Sequence, residues 1–344
     1  MITSGGGEPM LRVGMNPYGL AYSIGLQGRG TARANAAPLT MAEFIAMAGR
    51  LGAACVELDG RWLADLADEE LARTRETIAA SGMAPLCSDW LLHEPGETLD
   101  HALRYTAALG AGLLRLHLTP VLEGARARQG GRWQTLLDHA RRVLNDTARK
   151  AADRDLVLAI ENHQDLTSEE LLAFAEEAGD NVGLVMDTGN PFAVGEDPVA
   201  FASRAATRIR HVHLKDYRAQ FTTEGFRLVR CTIGDGCVPF AAIAAALPQG
   251  LTASIEPGAF EARHIRLFDP AWWDGYRPRE AAELATALGR LRHRRIRDDQ
   301  DASTPWEAGA DPADLTRYER EQIEQSFRNV HSMGLTSPSV ASRI

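Results

Sequence analysis

Four stretches in the second half of the chain decide its fold: LVLAIE at residues 156–161, VGLVMD at 182–187, IRHVH at 209–213 and TASIE at 252–256. Each is a short run rich in aliphatic and β-branched residues. Each ends in a carboxylate or an imidazole: Glu161, Asp187, His213 and Glu256. Polar and turn residues follow at once, namely Asn162-His163-Gln164-Asp165, Thr188-Gly189-Asn190, Leu214-Lys215-Asp216 and Pro257-Gly258. Runs of this length with such boundaries read as buried strands. Toward the N-terminus, Leu113–His117, Pro85–Ser88, Ala54–Leu58 and Leu11–Met15 have the same character. Segments with helical spacing separate them, at 40–51, 68–81, 97–109, 132–152, 168–178, 197–204, 239–247 and 277–294. Thr167 with Glu170 makes a capping-box pattern, and Asp197-Pro198 puts proline at the first position of a helix.

Strands alternating one for one with helices predict an α/β fold, a (β/α)8 TIM barrel with a C-terminal helical extension. A doubly wound sheet is the competing architecture, but the turn after the first strand is Asn16-Pro17-Tyr18-Gly19, without a GxGxxG pattern. The expected organisation is a disordered N-terminus over 1–10, a catalytic barrel over 11–296, and an acidic linker and C-terminal helix over 297–344. In that helix Leu315, Tyr318, Ile323, Phe327 and Val330 form an apolar stripe. The stripe docks either on the barrel wall or on a second copy of the chain in a homo-oligomer.

Composition restricts the partners. Lys and Arg number 37 against 46 Asp and Glu, a formal charge of −9. Phosphate recognition needs clustered basic side chains, so nucleic acid is not the expected partner. The four cysteines, Cys55, Cys87, Cys231 and Cys237, form no CxxC pair, which argues against a disulfide framework or a zinc ribbon. No run approaches eighteen apolar residues, and the first ten residues lack the basic and apolar regions of a signal peptide. The expectation is a cytoplasmic protein that acts on a small molecule, with no membrane partner.

In a barrel the ends of strands five to eight are neighbours on the C-terminal rim, where active sites of this fold are built. Three carboxylates gathered there repel and raise one another's pKa. A divalent cation removes that cost. Glu161, Asp187, His213 and Glu256 are donors suited to Mn2+ or Mg2+, with Co2+ or Zn2+ as further candidates, leaving one or two positions for substrate oxygens. His211, on the same face of its strand, is the rival imidazole.

The same residues carry a family resemblance. Glu161-Asn162-His163, Asp187-Thr188-Gly189-Asn190, the stretch His211 to Asp216, and Ile255-Glu256-Pro257-Gly258 resemble the xylose isomerase-like TIM-barrel superfamily in order and strand placement, over roughly residues 10–295. This is a group of sugar isomerases and epimerases. The resemblance implies that Glu161, Asp187, His213 and Glu256 bind a divalent metal, commonly Mn2+ or Mg2+, and that the chemistry runs through a metal-held enediolate. By analogy with the epimerases of the group, Glu161 and Glu256 move protons on opposite faces of the substrate, with His163 as another proton donor. Met15 to Gly19, Glu161 to Asp165, His213 to Arg218, and Ala262 to Arg266 leading to Trp272–Tyr276 are similar to 3-oxo-isoapionate decarboxylases. That similarity implies a lyase that decarboxylates a branched 3-oxo sugar acid to L-erythrulose in carbohydrate catabolism. A ketose 3-epimerase or sugar isomerase is the alternative. An endonuclease IV-like repair enzyme, with its trinuclear site and basic groove, is a distant one that the acidic charge disfavours.

A sugar acid requires cations for its carboxylate. Arg115 at the end of strand four, Lys215, Arg218 and Arg230 are the candidates, with Arg263 and Arg266 further along. His117, His163 and Asn190 are expected to meet substrate hydroxyls or to support the ligands. Residues 219–238 read as a long loop over the barrel mouth, with a turn at Gly234-Asp235-Gly236. Trp272, Trp273 and Tyr276 read as packing residues or as a wall of the mouth.

Overall fold

The computed structural model describes residues 10–91 and 99–336. Of the disorder expected over 1–10, positions 1–9 lie outside the described residues, while the Met10 carbonyl accepts the Gly250 N–H at 3.2 Å. In chain order the strands are β1 (Leu11–Met15), β2 (Cys55–Asp59), β3 (Ala84–Trp90), β4 (Leu113–His117), β5 (Val157–Glu161), β6 (Val182–Asp187), β7 (Ile209–Leu214), β8 (Tyr217–Phe221), β9 (Phe226–Arg230), β10 (Leu251–Ile255) and β11 (Arg263–Ile265). The helices are α1 (Met41–Arg50), α2 (Gly60–Leu63), α3 (Asp68–Ala80), α4 (Asp100–Ala108), α5 (Arg132–Ala152), α6 (Ser168–Ala178), α7 (Pro198–Ala205), α8 (Phe240–Ala246), α9 (Ala281–His293) and α10 (Pro312–Ser332). Strands β1 to β7 and β10 pair in parallel and close in the order β1-β10-β7-β6-β5-β4-β3-β2. The fold is the expected (β/α)8 TIM barrel with a C-terminal helix.

Local chemistry accounts for the elements. Thr40 with Glu43 and Thr167 with Glu170 form complete capping boxes at α1 and α6. Asp197 caps α7, with Pro198 at its first turn. Helix α5 buries Trp133, Leu137, Ala140, Leu144, Ala148 and Ala151, a three- and four-residue spacing that turns one stripe toward the barrel. Inside the barrel, side chains two apart on a strand share a face. Cys55, Leu86, Leu113, Ala159 and Val185 form an apolar layer. Two residues further along their strands, Glu57, Arg115, Glu161 and Asp187 occupy the next inner positions. The register sets Asp187 opposite His213, and His213 opposite Ser254. The interior therefore changes from apolar to ionic toward the C-terminal rim.

The stretch read as a loop over 219–238 is largely sheet. Strands β8 and β9 form a hairpin, and β11 adds to β9 in an antiparallel sheet beside the barrel. Alternation drives the pairing: Tyr217 and Ala219 are buried on one strand, Phe226 and Leu228 on the other. At the hairpin turn Gly225 has φ +157°, and a Cβ there would lie 2.0 Å from the Ile265 carbonyl oxygen. The segment that follows is tied down by the buried Asp216 carboxylate. It accepts backbone N–H groups of Tyr217, Gly234, Gly236 and Val238 at 2.8–3.1 Å. A Cβ on Gly236 would lie 2.2 Å from Asp216 Oδ1, so only glycine allows that approach.

Helix α10 lies on the chain's own barrel, with Leu315, Ile323, Phe327 and Val330 buried. Its apolar stripe is thus covered within the chain. Trp272 and Tyr276 stack at 4.7 Å between ring centroids and donate to the carbonyls of Glu123 and Gly124, both at 2.9 Å. They pack against the loop after β4. All four cysteines are free and buried. Among the described residues, no helix is long and apolar enough to cross a membrane.

Candidate metal centre

Glu161, Asp187, His213 and Glu256 come together at the rim. They lie at or just past the ends of β5, β6, β7 and β10, which are neighbours around the barrel. One ligand atom from each lies within 4.8 Å of the others, and all four residues are buried. In every case one polar atom is tied back and the other faces the middle of the group. Asp187 Oδ1 accepts the backbone N–H groups of Gly189 (2.9 Å) and Asn190 (3.0 Å). Glu161 Oε2 lies 2.9 Å from His117 Nε2 and 3.1 Å from Arg115 Nε. Glu256 Oε1 lies 2.8 Å from Lys215 Nζ. His213 Nε2 lies 2.9 Å from Glu57 Oε2. The remaining atoms, Glu161 Oε1, Asp187 Oδ2, His213 Nδ1 and Glu256 Oε2, are buried without a hydrogen bond. Unsatisfied buried polar atoms are costly, and four that converge fit the donor set of a hard or borderline divalent cation.

The charges agree. Burial alone would raise the Glu161 carboxyl, but Arg115, His117 and His213 hold it well below its usual value. Burial likewise works against Glu256, and Lys215 and His213 overcome it and keep the group ionised. Burial pushes Asp187 up to about 6 despite Lys215, whose ammonium lies 2.5 Å from Oδ2 without an aligned hydrogen bond. The Lys215 ammonium is itself held well above its usual pKa, because Asp187 and Glu256 outweigh its burial. Burial depresses His163 well below 6.5, and burial with Arg115 lowers His117, so both imidazoles are neutral at pH 7. Their rings lie 4.3 Å apart.

Other expected contacts fall elsewhere. His211 sits deeper, bonded to Thr252 Oγ1 (2.7 Å) and Ser254 Oγ (3.0 Å), which leaves His213 as the tetrad's imidazole. Arg115 is buried against Glu57 and Glu161, a counter-charge inside the barrel. Arg230 is spent on Gln322, Gly258 O and Gly19 O, which makes it a strut under α10 and not a group facing the tetrad. Arg218 lines a separate cleft with Cys231, Thr232, Asp235, His293, Arg294, Arg295 and Tyr318. Asn190 holds Asp187 by its backbone, and its side chain donates to the Asn162 carbonyl at 3.1 Å. Arg266 pairs with Glu224.

Three contributors escape a reading of strand ends. Glu57 lies mid-strand on β2. Asn162 clamps the Asp187 backbone through both ends of its amide, at 2.6 and 2.9 Å. Trp90, 40% exposed, meets His117 edge-on at 4.6 Å between centroids. Of these, only Asn162 had a signal, its place next to Glu161.

A closed parallel barrel whose C-terminal rim gathers a buried carboxylate–imidazole tetrad defines a (β/α)8 protein of the kind that can hold a divalent metal at its mouth. The chain belongs to the xylose isomerase-like TIM barrel family, whose profile matches residues 45–263. It is similar to an inosose dehydratase of Clostridium beijerinckii, 32% identical over 139 residues, which is 36% of this chain and 45% of that protein. It is also similar to the rhizopine catabolism protein MocC of Rhizobium meliloti, 40% identical over 80 residues, 22% of this chain and 25% of that one. The matches span less than half the length of these relatives. Among solved structures, D-psicose 3-epimerase in the presence of D-fructose superposes with a TM-score of 0.55 at 16% identity, over 92% of this chain and 98% of the other. The IOLI protein with a bound zinc atom superposes at 0.51 and 13% identity, over 82% and 96%. At these identities the likeness is one of fold.

Proposed function

We propose that the chain is a divalent-metal-dependent enzyme acting on a small oxo sugar or oxo sugar acid. Its best-supported reaction is decarboxylation of a branched 3-oxo aldonate, 3-oxo-isoapionate to L-erythrulose and CO2. The observation that carries the metal reading is the convergence of four ligand atoms without aligned hydrogen bonds, one from each of four neighbouring strand ends. The decarboxylation reading draws on the motif resemblance and on the lysine beside the tetrad. A bound divalent ion supplies Lewis-acid polarisation of a carbonyl and its neighbouring hydroxyl.

The chain's own residues supply the rest. Losing CO2 needs no base to form the carbanion. It needs a cation to orient the carboxylate and one acid to protonate carbon. Lys215, an ammonium between Asp187 and Glu256, suits either task. Glu161 and Glu256, both held ionised, serve as acceptors at neutral pH. His163 and His117, neutral and side by side, suit hydrogen bonds to substrate hydroxyls.

Dehydration or 3-epimerisation is the second reading, favoured by the similarity to inosose dehydratase. It would use Glu161 or Glu256 as the base. The test offers the 3-oxo aldonate, free ketoses and an inosose to protein loaded with Mn2+. It follows CO2, 3-epimers and loss of water together. CO2 release is the expected result. Epimerisation or dehydration without CO2 selects the second reading, and full activity after exhaustive chelation, with no metal by elemental analysis, overturns both.

A further inference from the structure

Glu57 lies on β2, across the barrel from β7, and is 1% exposed. Its Oε2 lies 2.9 Å from His213 Nε2, and its Oε1 lies 3.3 Å from Arg115 Nε. The same arginine nitrogen lies 3.1 Å from Glu161 Oε2. Arg115 thus joins Glu57 to one member of the tetrad, and Glu57 itself touches another. We infer that Glu57 is a positioning residue for the metal centre: it takes the Nε2–H of His213, and so fixes the tautomer that turns the Nδ1 lone pair toward Glu161, Asp187 and Glu256. The inference rests on the metal reading of the tetrad given above.

The groups around the imidazole decide the tautomer. Four carboxylates, Asp187 within 4.8 Å among them, and two uncharged side chains face His213. On the Nδ1 side are Glu256 Oε2 at 2.9 Å and Glu161 Oε1 at 3.5 Å, neither in hydrogen-bonding alignment. On the Nε2 side are Glu57 Oε2 at 2.9 Å and, more weakly, the Asn16 amide nitrogen at 3.4 Å. His211 stands edge-on, 5.4 Å away between ring centroids, and is occupied by Thr252 and Ser254. The short, aligned, charge-assisted bond to Glu57 outweighs the 3.4 Å contact with a neutral amide. With Nε2 keeping its proton against Glu57, Nδ1 is the atom that would face a bound cation, which would displace any proton held there, and it makes no aligned hydrogen bond. A carboxylate behind a ligating imidazole also makes it a stronger donor, and loss of such a partner typically costs 10- to 100-fold in metal affinity.

The experiment has two arms. In the first, titration calorimetry measures Mn2+ and Co2+ binding to chelator-treated wild-type and Glu57→Gln proteins. Glu57→Gln is expected to weaken binding about tenfold or more while its thermal unfolding in chelator stays cooperative. Equal affinity in the two proteins overturns the inference. The second arm needs no variant: a long-range 1H–15N spectrum of wild-type protein, 15N-labelled at histidine and loaded with diamagnetic Zn2+. His213 is expected to be protonated at Nε2 and metal-shifted at Nδ1. The opposite tautomer overturns the inference even if Glu57→Gln does not fold. If wild-type protein binds none of these ions, the metal reading itself has failed, an outcome distinct from both.

Discussion

Asp165 shows how a single buried group outside the tetrad makes stability depend on pH. Its Oδ2 accepts from Thr119 Oγ1 at 2.7 Å and its Oδ1 from the Leu166 N–H at 2.8 Å. Burial outweighs these bonds and pushes the carboxyl up to about 6 from 3.8. Between those values the folded chain binds a proton that the unfolded chain has released. Stability from this group is therefore fully present below pH 3.8 and is lost as pH rises through 6. A shift of this size corresponds to something on the order of 2–3 kcal/mol. Asp165→Asn keeps the shape and removes the titration. Urea unfolding of the two proteins at pH 4.5 and pH 7.5 should show the variant gaining on wild type at the higher pH by most of that amount. A stability difference that does not change with pH would mean that burial does not govern this carboxyl.

At the scale of the element, α10 is fastened by polar groups as much as by its apolar stripe. Glu319, buried on its inner face, accepts the N–H groups of Tyr22 (2.9 Å) and Ser23 (2.8 Å) and the Ser23 hydroxyl (2.7 Å). Gln322 accepts from Arg230, which also reaches Gly258 O beside the rim. Glu319→Ala leaves two backbone donors buried without acceptors. It should cost about 2 kcal/mol in urea unfolding, since each such group is worth about 1–3 kcal/mol and the variant regains the cost of burying the acid. A loss under about 0.5 kcal/mol would show that the apolar stripe alone holds the helix. These ties were not legible in the sequence, where α10 shows only its apolar spacing. The barrel strands were legible because a buried run that ends in Glu161, Asp187 or His213 contrasts with its own interior. Glu57 offers no such contrast: Val56-Glu57-Leu58 reads as ordinary alternation, and its partner His213 lies far along the chain. The β8–β9 hairpin is hidden in the sequence for a related reason. Arg218, Arg227 and Arg230 gave the segment a polar look, and the period of two carried by Tyr217, Ala219, Phe226 and Leu228 was masked.

Taken whole, the molecule closes a sheet around an ionic interior. Glu57, Glu161, Asp187 and Glu256 are balanced there by Arg115, by Lys215, and by His213, which the surrounding carboxylates hold charged against its burial. Lys215 is the cation that touches both Asp187 and Glu256. A divalent ion at the tetrad would compensate the same two groups. On the proposed metal reading, the ammonium and the ion would therefore stand in for one another in part. Removing one partner of a buried ion pair costs about 3–5 kcal/mol, because the other charge is left uncompensated. Lys215→Met should accordingly lower the melting temperature of chelator-treated protein by several degrees. Saturating Mn2+ should recover much of that loss, since a ligand that binds only the folded state stabilises it by about 2.7 kcal/mol at a hundred times its Kd. Differential scanning calorimetry of wild type and variant, each with chelator and with Mn2+, reads the four values directly. An equal deficit in both conditions would show that Lys215 is a fixed structural cation whose charge the metal cannot replace.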